Sequence, residues 1–140
     1  MADRLITTEL SVTVTDQDID DIMVAALEGG INYWCDEAEV IGDYLGKYAS
    51  DQISRGGKLR LHVIEPFDEN DSEYYELDLD KFLAGLKAYL AYPDAPYVIT
   101  AAKPHGFREK PAYILDCCLV DAVVADMIIQ FGLFGEIIYG

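Results

Sequence analysis

Between Leu59 and Leu90 the apolar period changes once, from two to about 3.6, and this change limits the folds open to the chain. Leu59, Leu61 and Val63 alternate with Arg60, His62 and Ile64, which predicts a strand. Pro66 to Ser72 reads as a turn, and Glu73 to Asp78 returns as a second strand, giving an antiparallel hairpin. Asp78 or Asp80 then caps a helix that carries Leu79, Phe82, Leu83, Leu86, Tyr89 and Leu90 on one face, with Lys81 and Lys87 outside. Two strands followed by a helix do not fit the regular βαβα alternation of a parallel sheet. The expected class is α+β, with a small antiparallel sheet and about four helices.

The flanking segments extend this pattern. Leu10 to Thr15 alternates and is rich in β-branched residues, so a strand is expected. Thr15 can cap a following helix, with Asp16 and Asp18 in its first turn and Ile19, Ile22, Met23, Ala26 and Leu27 at helical spacing. Gly29-Gly30 is read as its stop. Glu37 to Ile53 is expected to be partly helical, because Val40, Ile41, Tyr44, Leu45 and Tyr48 form a stripe. Residues 93–111 hold four prolines and read as a long loop, a length that is often functional or mobile. A last helix is expected from Asp116 or Asp121 to Phe131, and Glu136 to Tyr139 as a closing strand. No linker divides the chain, so its 140 residues are expected to form one compact domain.

Charge decides which functions fit. The chain carries 26 acidic and 10 basic side chains, a formal net charge of −16, yet 51% of its residues are apolar. That apolar share argues against a disordered acidic tail. The acidity argues against binding nucleic acid by phosphate neutralisation. The most apolar stretch, Val120 to Tyr139, is broken by Asp121, Asp126, Gln130 and Glu136, so no membrane span is expected. No apolar run follows Met1-Ala2-Asp3-Arg4, so no signal peptide is expected. Cys35, Cys117 and Cys118 are odd in number and two are adjacent, which suits reduced thiols in a cytoplasm, the adjacent pair serving as small core residues.

Motifs for chemistry are incomplete. Asp16-x-Asp18-x-Asp20 starts like a calcium loop, but the sixth position is Asp21 and the twelfth is Leu27. Asp68-x-Asn70-x-Ser72 fails in the same way, with Glu73 and Leu79. Ser54-Arg55-Gly56-Gly57-Lys58 lacks the leading glycine of a phosphate loop and has Leu59 in place of its hydroxyl. It reads more simply as a helix end with cations in the last turn. His62 and His105 have no metal-ligand spacing, and no cysteine is paired with either. The expectation is a non-enzymatic protein without metal or cofactor.

Three stretches carry a resemblance: Ala26-Leu27-Glu28-Gly29-Gly30-Ile31-Asn32-Tyr33-Trp34-Cys35, Tyr48-Ala49-Ser50-Asp51-Gln52-Ile53-Ser54-Arg55-Gly56-Gly57 and Ile128-Ile129-Gln130-Phe131-Gly132-Leu133-Phe134-Gly135-Glu136-Ile137. The chain resembles an uncharacterised family of small acidic proteins encoded by phages, prophages and mobile elements of Firmicutes, over most of its length apart from residues 93–111. The resemblance implies a host bacterial cytoplasm and action by binding to host or defence machinery. It transfers no functional residues.

Two readings follow. In the first, the chain is an acidic inhibitor that imitates nucleic acid and occupies the basic surface of a host protein. Residues 1–50 carry 11 acids and 2 bases, whereas residues 101–140 carry 5 and 3. The candidate face is therefore Asp16, Asp18, Asp20, Asp21, Asp36, Glu37 and Glu39. In the second, the chain sequesters a small anionic, nucleotide-like ligand at a homo-oligomer interface. Tyr33 and Trp34 would stack on its base, and Arg55, Lys58, Lys103 and Arg108 would hold its phosphate.

Overall fold

The computed structural model describes residues 3–6, 10–65, 68–101 and 113–140. The fold is α+β, built on two three-stranded sheets and three α-helices. In chain order these are β1 (Val12–Thr13), α1 (Asp16–Ala25), β2 (Cys35–Ile41), β3 (Lys58–Glu65), β4 (Asp68–Leu77), α2 (Leu79–Ala91), β5 (Ile99–Ala101), β6 (Tyr113–Leu115) and α3 (Ala122–Phe134). One sheet is antiparallel throughout, in the order β2-β3-β4. The other has the order β1-β6-β5 and contains a parallel pair, β1 with β6. The small antiparallel sheet expected from sequence is present, a second sheet stands beside it, and three α-helices with short turns take the place of about four helices.

The hairpin and the helix after it form as their periods require. Leu59, Leu61 and Val63 point into the core, and Arg60 faces out. Asp78 caps α2 by accepting from the Lys81 N–H at 2.9 Å. One hydrophobic cluster joins Ile22 and Met23 of α1, Leu61 and Leu77 of the sheet, Phe82 and Tyr89 of α2, and Ile128 and Ile129 of α3.

Three local expectations are corrected. Residues 35–41 form an edge strand instead of a helix, because Cys35, Ala38 and Val40 face inward while Glu39 pairs outward with Arg60. The rest of the expected helix shrinks to a turn at Ala49–Asp51. Gly29-Gly30 ends the first helix as expected, through one wider turn, Ala26–Gly30, in which Gly29 leaves helical geometry. Gly30 is needed there, since a Cβ would lie 2.6 Å from the Ala122 carbonyl oxygen. Of the two starts expected for the last helix the structure selects Asp121, which caps α3 by accepting from the Val124 N–H at 2.9 Å. Residues 136–139 form no strand.

Two further boundaries shift. β4 already starts at Asp68, so the expected Pro66–Ser72 turn is shorter, with Pro66 and Phe67 outside the described residues. The first strand contracts to Val12–Thr13, and the stretch read as a long loop contains β5. Residues 102–112 lie outside the described residues.

Candidate functional site

The acidic face is built on the start of α1. Thr15 and Asp18 cap each other: the Asp18 N–H donates to Thr15 Oγ1 at 3.0 Å, and the Thr15 N–H donates to Asp18 Oδ2 at 2.9 Å. Carboxylates at this end of a helix are stabilised by its dipole, so the cluster forms at little cost. Asp20 accepts from Ser54 Oγ at 2.6 Å, and Asp21 from Gln17 Nε2 at 2.8 Å. Asp16 and Asp21 are exposed. Among the described residues none of these four aspartates forms an ion pair.

A residue distant in sequence enlarges this cluster. The turn Cys117–Leu119 brings the Cys117 thiol to Asp18, where Sγ donates to Oδ1 at 3.1 Å. Burial and then Asp18, Asp21 and Asp116 push that thiol up to about 12. Asp116 therefore belongs with the α1 acids, a grouping that the sequence did not suggest.

The β2 acids behave differently. Asp36 meets His62 Nδ1 at 2.6 Å, and Glu39 accepts from Arg60 at 2.6 Å. The Arg60 guanidinium and the His62 ring both pack on Tyr74. Asp36 and Glu39 are therefore partnered across the outer face of the sheet, and only Glu37 of this group is exposed without an ion pair. The seven candidate acids do not form one uniform surface. Of these seven, the four on α1 and Glu37 have no ion pair among the described residues.

Of the residues proposed for an anionic ligand, Tyr33, Trp34, Arg55 and Lys58 are described. Arg55 pairs with Asp51 at 3.6 Å, and Lys58 lies on β3 opposite Ile41. Lys103 and Arg108 fall outside the described residues. Trp34 is fully buried, with its ring stacked on Tyr139, so it does not offer a face to a base. Both aromatics instead serve Asp126 of α3, a buried residue. Tyr33 donates its hydroxyl to Asp126 Oδ2 at 2.6 Å, and Trp34 donates its indole N–H to Oδ1 at 2.7 Å. Gln130 Nε2 donates to the same Oδ1 at 2.9 Å. Burial, then Asp126, push the Tyr33 hydroxyl up to about 12, so it stays protonated and donating through the ordinary pH range. A phosphate placed against Tyr33 would meet this carboxylate.

Compared with protein-family models, curated proteins and solved structures, the chain matches none of them.

Among the described residues, no group of three or more His, Cys, Asp or Glu is arranged to hold a metal ion. Among them, too, no helix is long and apolar enough to cross a membrane. The cysteines are free, but they are not the core pair expected. Cys35 is buried, Cys117 half-buried and Cys118 exposed. Burial pushes the Cys35 thiol up to about 11. A raised thiol pKa means less thiolate at a given pH, and thiolate is the reactive form. At pH 8 a maleimide should therefore label Cys118 rapidly, with Cys35 and Cys117 reacting only after denaturation. Intact-mass spectrometry would show one adduct on the native protein and three in denaturant.

Proposed function

We propose that this chain is a non-enzymatic acidic interaction protein that occupies the basic surface of a protein partner. In the mobile-element setting that the resemblance implies, the partner is a host defence or nucleic-acid-binding factor in the bacterial cytoplasm. The observation that carries the reading is the α1 cluster. Asp16, Asp18, Asp20 and Asp21, with Asp116 beside them, leave negative charge without a cation among the described residues. A fixed cluster of this kind attracts a basic groove over a distance and speeds association. The two thiols with shifted pKa values are both displaced away from reactivity, which also favours binding over nucleophilic chemistry.

The test separates a specific face from bulk charge. One variant carries Asp16→Asn, Asp21→Asn and Glu37→Gln; a control carries Asp43→Asn, Asp94→Asn and Glu136→Gln, and all six sites are exposed. Both lose three negative charges. A partner captured from host lysate at about 0.1 M salt should be released by about 0.5 M, where the screening length has roughly halved. The first variant should weaken capture at least tenfold and the control should not. Equal loss in both would reduce the effect to net charge, and salt-indifferent capture would overturn the reading.

A further inference from the structure

A groove of about 500 Å³ opens beside Asp126, between the Gly29-Gly30 turn, the first turns of α3 and the segment after it. Its walls are Val123, Met127 and Ile137, with Tyr33 and Tyr139 at the side. Volume and lining fall in the range of small-molecule sites, which are mostly apolar with a few placed polar groups.

The polar group here is a carboxylate that has no counter-charge among the described residues. Asp126 is 7% exposed. Its donors, the Tyr33 hydroxyl, the Trp34 indole and the Gln130 amide, are all neutral. Among the described residues, no Lys, Arg or His lines the groove. Buried charges are ordinarily paired or bound to a cation. An ionised carboxylate can accept about four hydrogen bonds, and this one accepts three, two on Oδ1 and one on Oδ2. The acceptor position left over is on Oδ2, beside the Tyr33 ring. A cation there pairs with the carboxylate.

We propose that this groove binds an alkylammonium group, with the ammonium on Asp126 and the alkyl chain against Val123, Met127 and Ile137. The ligand polarity is the reverse of a nucleotide's, and the proposal stands apart from the acidic-interface reading. A free amine and a lysine side chain share this chemistry.

Trp34 provides the readout. It is the only tryptophan, and its indole N–H donates directly to Asp126, so one indole N–H resonance reports the site. n-Butylammonium should shift that resonance saturably with a Kd in the millimolar range or below, on the order of 4 kcal/mol of binding. Butyrate and 1-butanol at the same concentration should not. Nα-acetyl-lysine N-methylamide is the second arm: tighter binding than butylammonium assigns a lysine side chain, and weaker binding a free amine. Asp126→Asn should weaken binding at least tenfold. Val123→Lys, at an exposed position one helical turn before Asp126, should abolish it by supplying an ammonium from within the chain, whether or not the first variant folds. An equal response to 1-butanol, or butylammonium binding retained in Val123→Lys, would overturn the proposal.

Discussion

Replacing Gly85 with alanine should destabilise the protein by about 3 kcal/mol or more, although alanine is the better helix former. Helices α2 and α3 touch through two glycines. A Cβ on Gly85 would lie 2.3 Å from the Ile128 carbonyl oxygen, 2.7 Å from the Gly132 nitrogen and 2.9 Å from the Gly132 Cα. A Cβ on Gly132 would lie 2.6 Å from the Lys81 carbonyl oxygen. All of these are backbone atoms, so no rotamer change relieves the clash. The helices must move apart, which loosens Phe82, Leu86 and Tyr89 from the core they share with Ile128 and Ile129. Propensity alone predicts a gain of about 1 kcal/mol, so the sign of the change decides between the two effects. Urea unfolding followed by circular dichroism measures it. The control is Ala84→Gly, on the exposed side of α2, where only propensity acts and the loss should be about 1 kcal/mol.

The part of the fold that was legible is the part where period and cap agree. β3, β4 and α2 follow from alternation, a return strand and Asp78 at the cap. β2 was not legible because a bulge interrupts its period. The register shifts between Cys35 and Glu37, so the inward residues Cys35, Ala38 and Val40 are spaced by three and then by two. With Tyr44, Leu45 and Tyr48 continuing beyond Gly42, that spacing imitates a helix stripe. Gly42, at φ 79°, ends the strand in a conformation that favours glycine. Of the second sheet only β1 was legible, inside the alternation of Leu10 to Thr15; β5 and β6 are three residues long and pair as Ile99 with Leu115 and, to β1, Tyr113 with Val12. Such short segments carry too few residues to show a period.

The site was legible only as charge. The acids of α1 were visible as a run, but Asp116 joins them through a turn that no periodicity marks. Asp126 and Gln130 were visible as interruptions of an apolar stretch. Their spacing of four held more information, since it places both on one face of α3, and that face is buried. A polar pair on a buried helical face demands partners, and the aromatic donors Tyr33 and Trp34 supply them. The same pair explains the missing final strand. Gln130 Oε1 accepts from the N–H groups of Ile138 at 2.9 Å and Tyr139 at 2.8 Å, and its Nε2 donates to the Tyr139 carbonyl at 3.1 Å. One side-chain amide thus makes the backbone bonds that a neighbouring strand would have made.

Removing the carboxylate of Asp126 should have the second large effect, about 3 kcal/mol for Asp126→Leu. The three donors do not suffer equally. Tyr33 is half-exposed and can turn to water, and Gln130 keeps its bonds to the C-terminal segment. Trp34 is 0% exposed, so its indole N–H would be buried without an acceptor, which costs about 1–3 kcal/mol by itself. Leucine repeats the branched shape of aspartate but is larger, so no cavity opens and the cost comes from the stranded donor together with some overpacking. Removing the donor as well should then recover much of the loss. Trp34→Phe keeps an aromatic ring against Phe134 and Tyr139 but deletes the N–H. The double variant Asp126→Leu with Trp34→Phe should be more stable than the sum of the single losses by about 1–3 kcal/mol. Strictly additive losses would mean that the indole finds another partner once Asp126 is gone. The bond between Trp34 and Asp126 would then orient the ring without holding the C-terminal segment, α3 and the Gly29-Gly30 turn in one piece.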